Sequence, residues 1–436
     1  MARTEECILY RNFDNGEVLD RMTSLMNNYE AGEEGFENRK EEFFHMAGSL
    51  VEMAGMYGFS GNLWHTYLTQ LLVNHENAFS TASEIRGAVE GSINHLALHD
   101  FGIFKELYDF DLAVFDSAFG TDCADFLCNY VNTGCNSKVY NQRICDRICD
   151  MSKTLAEAST VEEFMADMVQ FYKDFGVGKL GLNKAFRIEH GKDGKPVIAP
   201  ITRIAHVNLD DLVGYEIPKQ KLIENTEAFV RGRKANNCLL FGDAGTGKSS
   251  SIKGILNRYY DEGLRIIEVY KHQFQDLNDV IAQIKNRNYK FILYMDDLSF
   301  EEFEIEYKYL KAVIEGGLEK KPDNILIYAT SNRRHLVREK SGDKLEVADD
   351  EDLHSSDTVQ EKLSLVYRFG VRIYFGAPNK KEFQNIVTTL AERYGVTMPA
   401  EELLTKANAW ELSHGGLTGR TAQQFIDHVL GTSEEQ

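Results

Sequence analysis

Proline is scarce in this chain, with 6 among 436 residues and none before Pro196. Proline breaks helices by removing a backbone donor, so its absence suits a long run of α-helices. Apolar residues there recur at three- and four-residue steps, as in Leu63-Trp64-His65-Thr66-Tyr67-Leu68-Thr69-Gln70-Leu71-Leu72, from Leu96 to Phe115 and from Val161 to Phe175. Residues 1–180 are expected to form a mostly α-helical domain that holds a partner or substrate. No apolar run approaches the ~20 residues of a membrane span. Met1-Ala2-Arg3-Thr4-Glu5-Glu6 lacks the basic and apolar regions of a signal peptide, so a cytoplasmic protein with no membrane contact is expected.

Positive charge is also in deficit. The 48 Lys and Arg face 68 Asp and Glu, a net charge of −20, which disfavours broad binding to nucleic acid but leaves room for a local basic patch. Tight C-x-x-C pairs are missing from the seven cysteines, although Cys123, Cys128, Cys135, Cys145 and Cys149 lie close together. Their spacings suit helix faces, so buried small apolar side chains are expected rather than disulfides or a metal centre.

What is present is a phosphate-binding loop. Gly242-Asp243-Ala244-Gly245-Thr246-Gly247-Lys248-Ser249 matches G-x-x-x-x-G-K-[ST] without a mismatch. Glycines let the backbone form a nest of N–H groups facing phosphate oxygens. A helix opening near Ser250 would add its positive end, Lys248 would reach the β/γ-phosphates, and the Ser249 hydroxyl is placed for Mg²⁺. Cys238-Leu239-Leu240-Phe241 supplies the short apolar strand the motif requires before it.

Further apolar runs, 265–269, 291–295, 325–329 and 371–375, read as strands, mostly separated by helical stretches. With 238–241 they predict an α/β fold with a five-stranded, mainly parallel sheet over residues 205–377. Residues 181–204 contain Gly191-Lys192-Asp193-Gly194 between Ala185-Phe186-Arg187-Ile188 and Pro196-Val197-Ile198, a β-hairpin or an extended linker. Residues 378–436 predict three helices. The stretch 338–359 is polar and acidic and reads as a loop.

Phe291-Ile292-Leu293-Tyr294-Met295-Asp296-Asp297 is a hydrophobic strand ending in two acids, the Walker B pattern. Asp296 would hold the Mg²⁺ shell and Asp297 would orient the attacking water, with Glu301 or Glu302 as substitutes. Ile325 to Asn332 ends in polar groups. Asn332 is placed to hold that water, with Thr330 or Ser331 as alternatives. Arg368, just before the last strand, and Arg420, opening the final helix, are by themselves ordinary arginines.

Taken in order, these elements resemble the AAA+ ATPases: Asp211-Leu212-Val213-Gly214, Walker A, Walker B, a sensor-1 strand end, an arginine before the last strand and a lid arginine. More closely the chain is similar to a bacterial AAA-type family catalogued as a domain of unknown function, through Glu224-Asn225-Thr226-Glu227-Ala228-Phe229, Tyr294 to Glu302, Tyr328 to Leu336, Glu361-Lys362-Leu363-Ser364-Leu365 and Gly419-Arg420-Thr421-Ala422. The likeness is strong over residues 205–434. It implies an AAA+ core with a C-terminal three-helix lid and ATP with Mg²⁺ at their junction. Val213 and Gly214 would join the nucleotide site, Arg368 would reach a neighbour's γ-phosphate as an arginine finger, and Arg420 would sense the γ-phosphate. It also implies a homo-oligomer, as a ring or filament.

The function expected is therefore an ATPase coupling Mg-ATP hydrolysis to conformational change on an unknown macromolecular partner. The alternative is a slow-turnover switch or loader of the initiator and helicase-loader type. Threading unfoldases rank lower, because Tyr270-Lys271-His272-Gln273-Phe274 lacks an aromatic–hydrophobic–glycine pore loop. Small-molecule phosphate-loop kinases rank lower still.

Overall fold

A computed structural model describes residues 3–88, 90–132, 139–140, 142–202, 204–205, 207–300, 306–315, 322–332 and 364–433. The expectations placed on Cys135, Glu301, Glu302, 338–359 and Glu361-Lys362-Leu363 lie outside these residues. The chain divides into two units, Met1–Asn183 and Lys184–Gln436.

The first unit is helical: α1 Glu17–Glu30, α2 Lys40–Tyr57, α3 Leu63–Asn74, α4 Ala78–Arg86, α5 Ser92–Asp109, α6 Ala113–Phe119, α7 Cys123–Cys128, α8 Gln142–Glu157, α9 Val161–Phe175 and α10 Gly178–Leu182. Helix starts follow capping chemistry. Asn62 accepts from the His65 N–H, and Asn77 and Ser80 form a reciprocal box at the start of α4. Trp64, Phe43, Phe101, Phe104, Phe115 and Phe164 are buried in one core. The fully buried Asp100 carboxylate accepts the N–H groups of Ile8, Leu9 and Tyr10, tying the leading segment down. Cys145 is buried and its thiol donates to the Tyr57 carbonyl at 2.7 Å, whereas Cys123, Cys128 and Cys149 are half-buried, with thiols pushed up by burial.

The second unit holds a seven-stranded sheet, not five. Its strands are β1 Ala185–His190, β2 Pro196–Ile201, β3 Cys238–Gly242, β4 Leu264–Glu268, β5 Lys290–Met295, β6 Ile325–Ser331 and β7 Val371–Phe375, in the order β2-β1-β4-β5-β6-β3-β7. The predicted hairpin supplies the two additional strands. Phe186 and Ile188 are buried, and β1 runs parallel to β4 with Ala185 opposite Ile266. Without the hairpin, β4 would be an open edge in which apolar residues sit beside unpaired backbone groups. Among the described residues only the β1–β2 pair is antiparallel.

Helices α11 Glu216–Val230, α12 Lys248–Tyr259, α13 Leu277–Ile284 and α14 Glu306–Glu315 connect the strands. After β7, α15 Lys380–Arg393, α16 Ala400–Ser413 and α17 Gly419–Ser433 share a separate core around Phe383, Val387, Ala407, Phe425 and Ile426. Among the described residues no helix is long and apolar enough to cross a membrane.

Candidate functional site

The parallel strands β3, β5 and β6 end side by side, and their C-terminal ends carry the motif residues. β3 delivers the phosphate loop. Gly242 has φ +130°, and a Cβ there would collide with the Phe375 carbonyl of β7, so the strand can leave the sheet at this point only with glycine. The Asp243 N–H donates to the Phe375 carbonyl (3.0 Å), and the Asp243 carboxylate accepts the Ala377 N–H (2.7 Å). Gly245 and Gly247 also have positive φ, and α12 begins at Lys248.

Lys248 is buried, and its ammonium donates to the carbonyls of Gly242 (2.9 Å) and Asp243 (2.6 Å) and to Asn332 Oδ1 (2.9 Å). Burial lowers its pKa below the usual lysine value, against the pull of Asp243, Asp297 and Asp296. The Asn332 side-chain amide donates in turn to Asp297 Oδ1 (2.8 Å), so one asparagine bridges the loop lysine and the second acid. Asp297 has φ +48°, a conformation costly for a side-chain-bearing residue, and its N–H donates to Thr330 Oγ1 (2.9 Å).

Asp296 Oδ1 is the convergence point of three hydroxyls: Ser249 (2.7 Å), Tyr294 (2.7 Å) and Thr330 (2.5 Å). Burial raises the Asp296 pKa, but these donors outweigh it and hold the carboxyl below its ordinary range. An ionised carboxylate beside a serine hydroxyl is an oxygen donor pair that fits a hard divalent cation such as Mg²⁺.

Beyond these groups lies a cavity of about 620 Å³, within the range of small-molecule sites. Ala244 to Ser250, Asp296, Asp297, Asn332, Val213 and Arg420 line it, whereas Gly214, Gly242, Asp243 and Arg368 do not. Its apolar wall comes from Val213, Tyr215, Ile386 and Leu390. α17 closes against the loop, since the Arg420 N–H donates to the Gly245 carbonyl at 3.2 Å. Arg368 instead pairs with Glu315 of α14 and donates to the Ser364 carbonyl (2.6 Å).

Three contributors escape motif reading. Tyr294 lies on β5 two residues before Asp296, which follows directly after the strand end, and its hydroxyl donates to the Asp296 carboxylate. Lys219 is buried, with its ammonium on the Leu212 carbonyl (2.7 Å) and Glu216 (2.9 Å), bracing the segment that carries Val213. Tyr215, at φ +60°, lays its ring 5.5 Å from that of Phe375. Neither Lys219 nor Tyr215 has a local sequence signal, since each depends on contacts made across the fold.

Among solved structures, a Thermotoga maritima RuvB variant is 18% identical with a TM-score of 0.37, covering 52% of this chain and 66% of its own, just under two thirds. The Thermotoga maritima RuvB Holliday junction branch migration motor is 16% identical (TM-score 0.32, covering 52% of this chain and 72% of its own). The Aeropyrum pernix ORC1 protein in complex with DNA is 15% identical (TM-score 0.37, covering 52% and 62%). Likeness this distant says nothing of activity. No curated protein matches the chain. A family described as "Protein of unknown function (DUF815)" matches residues 182–433, more than half of the chain and beginning ahead of the β1–β2 hairpin, and the chain belongs to that family.

Proposed function

We propose that this protein is an AAA+ ATPase that binds Mg-ATP in the cavity beside the phosphate loop and couples its hydrolysis to conformational change in a homo-oligomer. The observation that carries this reading is the connected set Lys248–Asn332–Asp297 beside Ser249–Asp296, assembled from β3, β5 and β6. The loop amides and Lys248 would receive the β- and γ-phosphates, and the wall of Val213, Tyr215, Ile386 and Leu390 would take the base. Ser249 and Asp296 would hold the metal, which neutralises phosphate charge when bound. Asp297, oriented by Asn332, would align the attacking water.

Arg420 lies on the cavity and on the three-helix bundle at once, so loss of a γ-phosphate would change what holds α17 against Gly245. Arg368 lies outside the cavity of its own chain and would serve a neighbour's, after leaving Glu315. The net charge of −20 disfavours nucleic acid as the macromolecule acted on, so a protein is the partner class proposed.

Turnover tests the reading. Lys248→Ala should lose nucleotide binding, and Asp297→Asn should bind ATP but hydrolyse it at least about a hundredfold more slowly, the scale of a lost catalytic base. Undiminished hydrolysis in both variants would refute the assignment.

A further inference from the structure

The acidity of this protein is unevenly placed. Residues 1–183 carry 29 Asp and Glu against 13 Lys and Arg, so the first unit holds −16 of the net −20. On that unit α2 presents an outer face at odds with its exposure. Phe44, Gly48, Val51 and Gly55 recur at helical spacing along it, with Met56 beside them. Phe44 is 44% exposed, Val51 38% and Met56 43%. Across a groove from Phe44 and Val51, Phe126 and Val131 are among the most exposed apolar side chains of the described residues, at 69% and 75%.

The glycines are the odd residues here. Glycine is among the poorest helix formers, and nothing lies within 4 Å of a Cβ built at Gly48 or Gly55. Among the described residues, neither packing nor backbone conformation requires glycine at these positions. A bare strip of backbone between apolar side chains lets a second helix approach closely.

Two grooves flank α2, of about 750 and 720 Å³, and both include Phe44, Gly48 and Glu52 in their walls. Among the described residues their walls hold three carboxylates, Glu17, Glu41 and Glu52, and neither lysine nor arginine. Lys40, 5.9 Å from the Phe44 ring, turns its ammonium to the Phe119 carbonyl. A second copy would bring another strongly negative unit against this face, and nucleic acid or an anionic membrane would bring phosphate. Each is repelled.

We propose that the outer face of α2 is a docking site for an amphipathic helix of a partner protein, with small and aliphatic residues on its buried face and lysine or arginine on its flanks. The apolar strip would take the buried face, and Glu41 and Glu52 would take the basic flanks, Glu17 being already paired with Arg21 at 2.6 Å.

The test uses the full chain and two labelled amphipathic peptides of about four turns, both with Leu and Ala on one face, one flanked by Lys and the other by Glu. Fluorescence anisotropy should show binding of the Lys peptide alone, weakened by added salt. Gly48→Leu and Val51→Lys should each weaken it by about tenfold or more, while Gly48→Ala should not. Thermal melting of each variant separates lost docking from lost folding. No binding of the Lys peptide, equal binding of the Glu peptide, or indifference to both blocking substitutions would overturn the proposal. So would self-association of the chain that Gly48→Leu abolishes, because the occupant would then be a second copy.

Discussion

Lys248 shows how one side chain answers to its surroundings. Burial depresses its pKa, so the ammonium is lost at a lower pH than that of a free lysine. A group whose charged form is destabilised in the fold deprotonates early as pH rises, and the grip on phosphate proposed for Lys248 would go with the proton. Nucleotide affinity measured by calorimetry should therefore decline on the alkaline side before pH 10.5, lysine's ordinary value. Lys248→Arg keeps its charge and should lack that decline, even though its forked head fits the loop poorly. Asp296 behaves in the opposite sense, because its carboxyl is held low and stays ionised throughout the neutral range. The motif residues were legible in the sequence because each sits at a fixed offset from a strand end. The Thr330 hydroxyl on Asp296 was not, since it joins residues 34 positions apart.

At the scale of elements, the β1–β2 hairpin is where local reading fell short. Turn residues and alternation announced a hairpin, but nothing within 185–201 says that it lies beside β4. Sheet membership is decided by whichever edge has apolar residues and free backbone groups to offer. Phe186, fully buried on β1, anchors that choice. Phe186→Ala should cost roughly 3–5 kcal/mol of stability through the cavity it leaves, read by chemical denaturation. The conservative Phe186→Leu should cost less than about 1.5 kcal/mol. A cost no greater for Ala than for Leu would mean that the hairpin packs only loosely on the sheet. The strands β3, β5 and β6 were readable because a parallel strand with both faces covered is a continuous apolar run, whereas the edge strand β7 alternates, with Ile373 and Phe375 buried and Arg372 and Tyr374 exposed.

At the scale of the whole molecule, the role proposed for Arg368 would make the site depend on assembly. It lies outside the cavity of its own chain and is engaged by Glu315. If it completes a neighbour's site, an Arg368→Ala subunit retains a sound pocket and a Lys248→Ala subunit retains a sound finger. Mixing the two inactive variants should then restore a measurable fraction of hydrolysis, since some mixed interfaces pair the sound halves. Continued inactivity of the mixture, with assembly verified by sedimentation, would count against a trans role. The uneven charge belongs to this scale too, because −16 on one unit is a property that no single element carries.

By itself the sequence determined that a phosphate loop exists, that two acids end a buried strand and that helices precede the sheet. These depend on short-range spacing, which backbone geometry converts directly into structure. Only the tertiary structure decided that Asn332 links Lys248 to Asp297, that three hydroxyls converge on Asp296, and that the hairpin widens the sheet to seven strands. Such contacts join distant parts of the chain, and they form only where packing and hydrogen bonding of the whole fold bring their partners within reach.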